Sequence, residues 1–178
     1  MSMDSEAIHR AMDRIAHEIA ERAQENGGDL AIVGIRRGGV HLARRLQAQL
    51  ASLLGKEPPL GTLDIALYRD DLSRSGAAPV VGPTEIRFPV EGKDILLVDD
   101  VLYTGRTIRA ALDEIVDFGR PRRVWLAVLV DRGGRELPIA ADFAGATVRV
   151  PAGEDVEVRL VEGGAPTDAV VIQPRGHA

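Results

Sequence analysis

The residues whose types and spacing could do chemistry are concentrated in one stretch, Ile95–Thr107. Its first four residues, Ile95–Val98, are aliphatic, which is typical of a strand buried on both faces of a parallel sheet. Two adjacent acids, Asp99 and Asp100, follow at the expected end of that strand, and Thr104–Thr107 then begins a predicted helix. Because open α/β sheets bind ligands at the carboxyl ends of their strands, this stretch is the first candidate for a binding site.

Each part of the stretch suits a different portion of a ligand. Backbone N–H groups at a helix N-terminus lack partners within the helix and favour an anion. Gly105 lets the backbone approach that anion, and Thr104 and Thr107 add hydroxyl donors. Asp99 and Asp100 would repel a phosphate in contact, but they can accept hydrogen bonds from the cis hydroxyls of a ribose. An acid pair alone is more often a helix cap or a solvated turn, whereas the whole string fits a sugar phosphate.

The flanking sequence alternates between helical and strand patterns. Helices are predicted at Ser5–Ala23, about Val40–Leu54 and about Thr104–Phe118, and strands at Leu30–Ile35, Thr62–Tyr68, Ile95–Val98 and Val124–Val130. The helices depend on apolar residues spaced three and four apart, with Gly27 and Gly119 as stop signals. This alternation predicts one α/β domain over residues 1–178, with a doubly wound, mainly parallel sheet flanked by helices. Short alternating runs such as Val156–Val161 are interpreted as edge strands.

One polar segment, from about Arg69 to Phe88, has no sustained period and contains several glycines and prolines. A loop of this length within a compact domain is usually functional. We therefore expect it to take part in the site.

Composition excludes several classes of protein. The chain has 178 residues, no cysteine, 45% hydrophobic residues and a formal net charge of -5. Disulfides and thiolate metal sites are excluded, and a reducing cytoplasm is the expected location. No run is apolar enough to cross a membrane, and the N-terminal residues lack the apolar core of a signal peptide. The net charge argues against a broadly basic nucleic-acid-binding surface, and the content of 3% aromatic residues argues against stacking platforms.

The string Asp99–Thr107 closely resembles the 5-phosphoribosyl-1-pyrophosphate (PRPP) binding motif of type I phosphoribosyltransferases. Further stretches resemble the PyrR family of pyrimidine operon regulators, whose members are also uracil phosphoribosyltransferases. These stretches are Arg14–Glu18, Leu63–Ser73 and Leu126–Gly133, the last continued by Arg135–Ile139. The resemblance covers roughly residues 8–145, and it implies a type I phosphoribosyltransferase fold with a flexible hood loop, matched here by Arg69–Phe88, that closes over the site.

The resemblance implies a reaction in which PRPP and uracil give UMP and pyrophosphate. Tyr103, Thr104, Gly105, Arg106 and Thr107 match the loop that binds the 5-phosphate. Asp99 and Asp100 match the ribose-binding acids, with Val101 and Leu102 between the two groups. Arg36, Arg37, Gly38 and Gly39 match the pyrophosphate loop, although they differ from the usual Lys-Thr-Arg-Gly. Asp99, Asp100, Arg36 and Arg37 are the expected catalytic residues, and Mg²⁺ is expected to be carried mainly by PRPP, with no protein metal site.

Val130, Asp131 and Arg132 match the loop that faces the pyrimidine. Tyr103 stands where purine-specific relatives carry a carboxylate, which favours a pyrimidine by analogy. A phosphoribosyltransferase for another base is the alternative, and the matches at Leu63–Ser73 and Leu126–Ile139 argue against it.

The family also binds pyrimidine-operon leader mRNA, promoted by UMP, and causes transcription attenuation. Arg14, His17, Arg22 and Arg135 match basic or polar positions of its RNA face. Asp13, Gly134 and Ala140 instead replace a usual threonine, histidine and arginine, and the usual Lys-Asn-x-Pro-Thr-Ser run after Gly145 is absent. A carboxylate at Asp13 would repel RNA phosphates, and His17 could simply pair with Asp13 one turn earlier. Two alternatives thus stay open: an enzyme that has lost RNA binding, and a regulator with weak or no catalysis. A homodimer or higher homo-oligomer is expected from the family.

Overall fold

The computed structural model describes residues 3–65 and 84–176, and these two ranges form three α-helices and seven strands. The α-helices are α1 (Ser5–Asn26), α2 (Gly38–Leu54) and α3 (Arg106–Val116). The strands are β1 (Leu30–Ile35), β2 (Leu60–Leu63), β3 (Asp94–Leu102), β4 (Arg123–Asp131), β5 (Phe143–Thr147), β6 (Glu154–Arg159) and β7 (Ala169–Pro174).

The main sheet has five parallel strands in the order β2-β1-β3-β4-β5. Strand β1 is buried along its whole length, as expected for a strand with helices on both faces of its sheet. After β1 the chain continues to β2, at one edge of the sheet. After β3 it continues through β4 to β5, at the opposite edge. A crevice therefore forms at the carboxyl ends of β1 and β3, where such sheets bind ligands.

The two faces of the sheet have separate cores. Helices α1 and α2 pack on one face, where Ile8, Met12, Ile15 and Ile19 of α1 are all buried, as their spacing predicted. Helix α3 packs on the other face through Ile108, Ala111 and Ile115. The predicted doubly wound α/β architecture is confirmed.

The ends of the helices follow from local chemistry. The carboxylate of Asp4 accepts a hydrogen bond from Ala7 N at 2.8 Å and caps α1, which ends at Gly27 with φ 59°. Helix α3 is shorter than the predicted Thr104–Phe118. It begins at Arg106 because Gly105, with φ 92°, is not helical.

Three strand predictions were wrong in extent or pairing. Strand β3 continues to Leu102, so Asp99 and Asp100 lie within the strand rather than beyond its end. Strand β2 begins at Leu60 and ends at Leu63, whereas Thr62–Tyr68 was predicted; residues 66–68 lie outside the described ranges. The alternating run near Val156–Val161 is not an edge of the main sheet. It forms β6, which pairs with β7 in a separate antiparallel hairpin.

Most of the predicted hood loop, Arg69–Phe88, also lies outside the described ranges. Its last residues are described, and Thr84 and Glu85 join it to the sheet. Thr62 and Glu85 form an isolated antiparallel bridge, and the Thr84 hydroxyl accepts from Asp64 N at 3.1 Å. Among the residues with described positions, no helix is both long and apolar enough to cross a membrane.

The β6–β7 hairpin is tied to α2 by an ion-pair cluster. Arg45 donates to both Glu162 and Asp168 at 2.5 Å, and Asp168 is buried and also accepts from Val161 N at 3.0 Å. The Arg45 hydrogen bond lowers the pKa of Asp168 below its ordinary value of 3.8, burial opposes this, and the Val161 N–H and the guanidinium charge add to the lowering. The pKa of Glu162 is likewise lowered, first by its hydrogen bond from Arg45.

These lowered pKa values predict a stability contribution that is lost in acid. Carboxylates with depressed folded pKa values stabilise the fold above their unfolded pKa values, and this contribution disappears as pH falls through the folded ones. The free-energy difference between wild type and Asp168→Asn should therefore be constant from pH 7 to about pH 5 and shrink below about pH 4. Urea denaturation at each pH measures it. A difference that stays constant down to pH 3 would contradict the prediction.

Candidate active site

The start of α2 packs tightly against β3. A Cβ on Gly38 would lie 2.2 Å from Asp100 Oδ2, and one on Gly39 would lie 2.4 Å from the carbonyl oxygen of Val98. The peptide between Arg36 and Arg37 is cis. Two glycines thus let the start of α2 approach the acidic part of β3, and they bring the predicted pyrophosphate loop and one predicted ribose-binding acid together.

The two acids have different surroundings. Asp100 is partly exposed beside Gly38, and its Oδ1 accepts from Val101 N at 2.8 Å. Asp99 is 1% exposed, and its Oδ1 accepts from Asp100 N at 2.9 Å. Consecutive residues of a strand point to opposite faces, which separates the two side chains. Asp100 is therefore the better placed of the two to meet a ligand in the crevice.

The predicted phosphate loop, Tyr103–Thr107, joins β3 to α3. Thr104 is buried, and its hydroxyl accepts from Arg106 N at 3.3 Å. Gly105 needs its positive φ at this turn, and a Cβ there would lie 3.1 Å from Ile139. The turn directs the first backbone N–H groups of α3 and their positive partial charge toward the carboxyl edge of the sheet.

The segment after β4 holds this loop in place. Glu136 N and Leu137 N donate to the Thr104 carbonyl at 2.9 and 3.1 Å. The Arg135 guanidinium donates to the carbonyl of Tyr103 at 2.8 Å and to that of Ile139 at 2.8 Å. The loop is therefore fixed by hydrogen bonds from a part of the chain about thirty residues away, before any ligand binds.

The side chain of Tyr103 is surrounded by arginines and a glycine. The Arg132 guanidinium lies 3.9 Å from the ring centroid, and Arg175 donates to the hydroxyl at 2.8 Å. A Cβ on Gly134 would lie 2.5 Å from the ring, so a larger residue at this position would displace it. Arg132 is buried and also pairs with Asp155.

The predicted base loop follows from the end of β4. Asp131 accepts from Gly133 N at 3.0 Å and from Arg135 at 2.5 Å. Burial raises the pKa of Asp131, but the Arg135 hydrogen bond, the Gly133 N–H and the Arg135 charge together outweigh it, and the pKa lies below the ordinary value. The Arg132 N–H donates to the Leu102 carbonyl, and the Asp131 carbonyl accepts from Val148 N. Part of the backbone expected to contact a base is therefore used within the protein.

Sequence reasoning missed the residues that support the site from a distance. Arg175 and Asp155 lie on the C-terminal hairpin, and nothing in their local sequence indicates contact with Tyr103 or Arg132. Arg135 was matched to the RNA face, whereas its guanidinium is used between Asp131 and the carbonyl of Tyr103. One available signal was Gly134, because a glycine in place of a large residue leaves room for a neighbouring ring.

A doubly wound sheet with an arginine–glycine loop, an acid pair in its middle strand and a glycine turn before a helix, all toward one edge, is the architecture of a type I phosphoribosyltransferase domain. In agreement, the family described as "Phosphoribosyl transferase domain" matches residues 4–156. The chain is 55% identical over 172 residues to the bifunctional protein PyrR of Roseiflexus sp. (strain RS-1), covering 96% of this chain and 92% of the relative. It is 52% identical over 178 residues to that of Chloroflexus aurantiacus, covering 99% and 95%, and 55% identical over 160 residues to that of Thermus aquaticus, covering 90% and 88%. The chain therefore belongs to the PyrR family.

Solved structures agree on the fold. The hypoxanthine phosphoribosyltransferase of Trypanosoma cruzi has a TM-score of 0.71 at 19% identity, with 97% of this chain and 95% of that chain covered. The purine phosphoribosyltransferase of Pyrococcus horikoshii has a TM-score of 0.60 at 23% identity, with 82% and 86% covered. At these identities the likeness concerns the architecture alone.

Proposed function

We propose that this chain transfers the ribosyl phosphate of PRPP to N1 of uracil, giving UMP and pyrophosphate. The observation that carries the proposal is the packing of Gly38 against Asp100. It brings the arginine–glycine loop close to Asp100, the predicted ribose-binding acid, at the sheet edge where the predicted phosphate loop leads into α3. Membership of the PyrR family supplies the activity that this geometry fits.

The 5-phosphate would bind where α3 begins. Thr104, Gly105, Arg106 and Thr107 offer backbone N–H groups, hydroxyls and the positive end of the helix dipole, which together suit a dianionic ester. The hydrogen bonds that already fix the Thr104 carbonyl reduce the entropy lost when the phosphate binds. Val101 and Leu102 set the spacing between this subsite and the acids.

The Asp100 carboxylate would accept hydrogen bonds from the ribose hydroxyls. As pyrophosphate leaves, positive charge develops on the ribose ring, and a nearby carboxylate stabilises that charge more in the transition state than in the ground state. Asp99, which is almost completely buried, would support Asp100 through its hydrogen bond with the Asp100 backbone. Direct contact between the Asp99 carboxylate and the sugar stays a prediction.

Negative charge develops on the leaving pyrophosphate. Arg36 and Arg37, which directly follow β1, would neutralise it by hydrogen-bonded ion pairs, and the Arg36 guanidinium now donates to the Thr62 hydroxyl at 3.5 Å. Gly38 would let the backbone close on the same group.

Mg²⁺ fits this site as a partner of the substrate. Asp100 supplies hard carboxylate oxygens at the crevice, and the described residues contain no group of three or more acidic or histidine side chains that could hold a metal by themselves. Asp100 would contact a PRPP-bound ion directly or through water. When bound, the ion would neutralise charge on the pyrophosphate oxygens.

Uracil would lie against the loop Val130–Arg132. Tyr103 has no carboxylate to offer a purine nitrogen, and its hydroxyl is hydrogen bonded to Arg175. A pyrimidine recognised by backbone groups and aliphatic contacts is the base that this loop favours.

The test is formation of labelled UMP from uracil, PRPP and Mg²⁺ by the purified chain. Cytosine, orotate and hypoxanthine are added in competition, and we expect uracil to be the preferred acceptor. If the chain binds PRPP but prefers another base, the assignment of uracil as the substrate would be overturned. A chain that binds no PRPP would overturn the proposal as a whole.

Regulation through RNA is the second candidate function, favoured by the relatives' name "bifunctional". The cations matched to the RNA face are already engaged. Arg14 donates to the carbonyls of Ala144 and Gly145 at 2.8 and 2.9 Å, and Arg22 pairs with Asp142 at 3.5 Å. His17 Nδ1 lies 2.8 Å from the backbone oxygen of Asp13, so His17 does pair with Asp13 one turn earlier, through the main chain.

The Asp13 carboxylate is held by His9 and Gln49. We therefore expect weak binding of the leader RNA from the chain's own pyrimidine operon, strengthened by UMP. The repulsion between the Asp13 carboxylate and an RNA phosphate is worth about 1 kcal/mol at 4 Å in water. Asp13→Thr removes this repulsion and should bind the leader RNA about fivefold more tightly. Filter binding at several salt concentrations, with a scrambled RNA as control, measures this. Equal affinity for leader and scrambled RNA in both proteins would remove the RNA function and leave the enzyme.

A homodimer or higher homo-oligomer is proposed from the family alone. Sedimentation velocity at several protein concentrations tests it, and a monomer at all concentrations would refute it.

A further inference from the structure

The first residue of the phosphate loop has its side chain held from three directions. The ring of Tyr103 lies against the Arg132 guanidinium at 3.9 Å and against Gly134, and its hydroxyl accepts from Arg175 Nη2 at 2.8 Å. The backbone carbonyl of Tyr103 is held separately by Arg135. Both the main chain and the side chain of this residue are therefore fixed.

Arg175 is itself anchored. It follows β7, its N–H donates to the carbonyl of Gly153 at 2.7 Å, and its Nε lies 3.4 Å from Asp155 Oδ1. Asp155 also pairs with Arg132, so one carboxylate joins the two guanidiniums that contact Tyr103. The hairpin thus presents a preformed pair of cations to a single tyrosine of the loop.

Gly134 makes this arrangement possible in this chain. A Cβ at that position would lie 2.5 Å from the Tyr103 ring, and φ is 77°, a conformation that other residues rarely adopt. A larger side chain could not stand there without moving the ring. The contact between the ring and Arg175 therefore depends on a glycine at this position.

We propose that Arg175 is a positioning residue of the PRPP site, which acts through Tyr103 to hold the phosphate loop in its binding conformation. The inference rests on the proposed function. Tyr103 directly precedes Thr104 and Gly105, so freedom of its side chain becomes freedom of the turn that receives the 5-phosphate. Binding must then order the loop, and affinity falls by that cost.

The expected effect is selective. The 5-phosphate is remote from the bond that breaks, so its contacts stabilise ground state and transition state alike, and their loss raises KM while leaving kcat unchanged. Loss of one hydrogen bond from a charged donor should raise the KM for PRPP about fivefold in Arg175→Met. The KM for uracil should stay the same.

A double-mutant cycle tests the route through Tyr103. Tyr103→Phe keeps the ring on Arg132 and removes only the hydroxyl, so it should raise the KM for PRPP to a similar extent. In the Tyr103→Phe background, Arg175→Met should add nothing. Arg175→Lys retains a donor and should restore part of the affinity. Arg159→Met is the matched control, because Arg159 lies on the same hairpin and pairs only with Glu157 and Gln173 in the contacts described.

Steady-state kinetics and binding of UMP by calorimetry are measured for all variants, together with thermal unfolding. The inference is supported if Arg175→Met raises the KM for PRPP at constant kcat. The same substitution must cause no further rise in the Tyr103→Phe background, and Arg159→Met must cause none. Unchanged KM in Arg175→Met, multiplicative effects in the double variant, or equal changes in kcat and both KM values would overturn it. A wild-type chain that neither binds PRPP nor forms UMP would contradict the proposed function itself and overturn the inference with it.

Discussion

Asp100→Asn is expected to lower kcat/KM for PRPP by about 100-fold or more, the size of effect seen when one preorganised electrostatic group is removed. The substitution keeps the shape of the side chain but removes its charge. An amide offers one acceptor oxygen, its nitrogen donates where the ribose hydroxyls also donate, and it cannot stabilise the positive charge that develops on the ring. Because Asp100 is partly exposed, the fold should tolerate the change.

The matched control is Asp113→Asn on α3, where the carboxylate is 71% exposed and lies 3.8 Å from Arg109. It removes the same charge from the protein without touching the crevice, so kcat/KM should stay within about twofold, because exposed ion pairs contribute little. Initial rates of UMP formation at varied PRPP give the values. Equal losses in the two variants would mean that net charge, rather than the position of Asp100, governs the rate.

The parallel sheet was predictable because its signals are local. Runs such as Leu30–Ile35 are apolar throughout and bounded by glycines or turns, and β1 has the predicted bounds. The order of elements then restricts the topology, since strand–helix–strand units cross over in one hand. A phosphate loop could be proposed from the sequence for a related reason, because all of its groups come from consecutive residues, and its role stays a prediction.

The parts that were not predicted depend on contacts between distant residues. The burial of Asp99 follows from which face of β3 it occupies, and the strand had to continue past both acids for this to happen. The hydrogen bond between Arg175 and the Tyr103 hydroxyl joins residues more than seventy positions apart in sequence, and no periodicity encodes such a contact. The sequence of β6 alternates between apolar and polar residues, as an edge strand of the main sheet would. Only its hydrogen-bond partners show that it belongs to the separate β6–β7 hairpin.

Gly39→Ala is expected to destabilise the fold by about 2–3 kcal/mol, within the range measured for overpacking a close contact. The added Cβ would lie 2.4 Å from the Val98 carbonyl oxygen and 3.0 Å from the Asp99 Cα, both of them backbone atoms in the middle strand of the sheet. A side chain could rotate away from such a clash, but paired backbone cannot. The start of α2 must therefore move outward, which loosens the packing of α2 on β1 and β3.

The matched control is Gly163→Ala in the turn before β7, where a Cβ would meet no atom within 4 Å. Gly163 has no positive φ, so the added methyl should leave stability within about 0.5 kcal/mol of wild type or raise it slightly by restricting the unfolded chain. Urea unfolding of the three proteins gives the free energies. Since the predicted pyrophosphate loop leads into α2, the Gly39 variant should also lose PRPP affinity at temperatures well below its unfolding midpoint. If Gly39→Ala were as stable as Gly163→Ala, α2 would not be seated against β3 at this distance, and the closeness of Gly38 to Asp100 that carries the proposed function would lose its support.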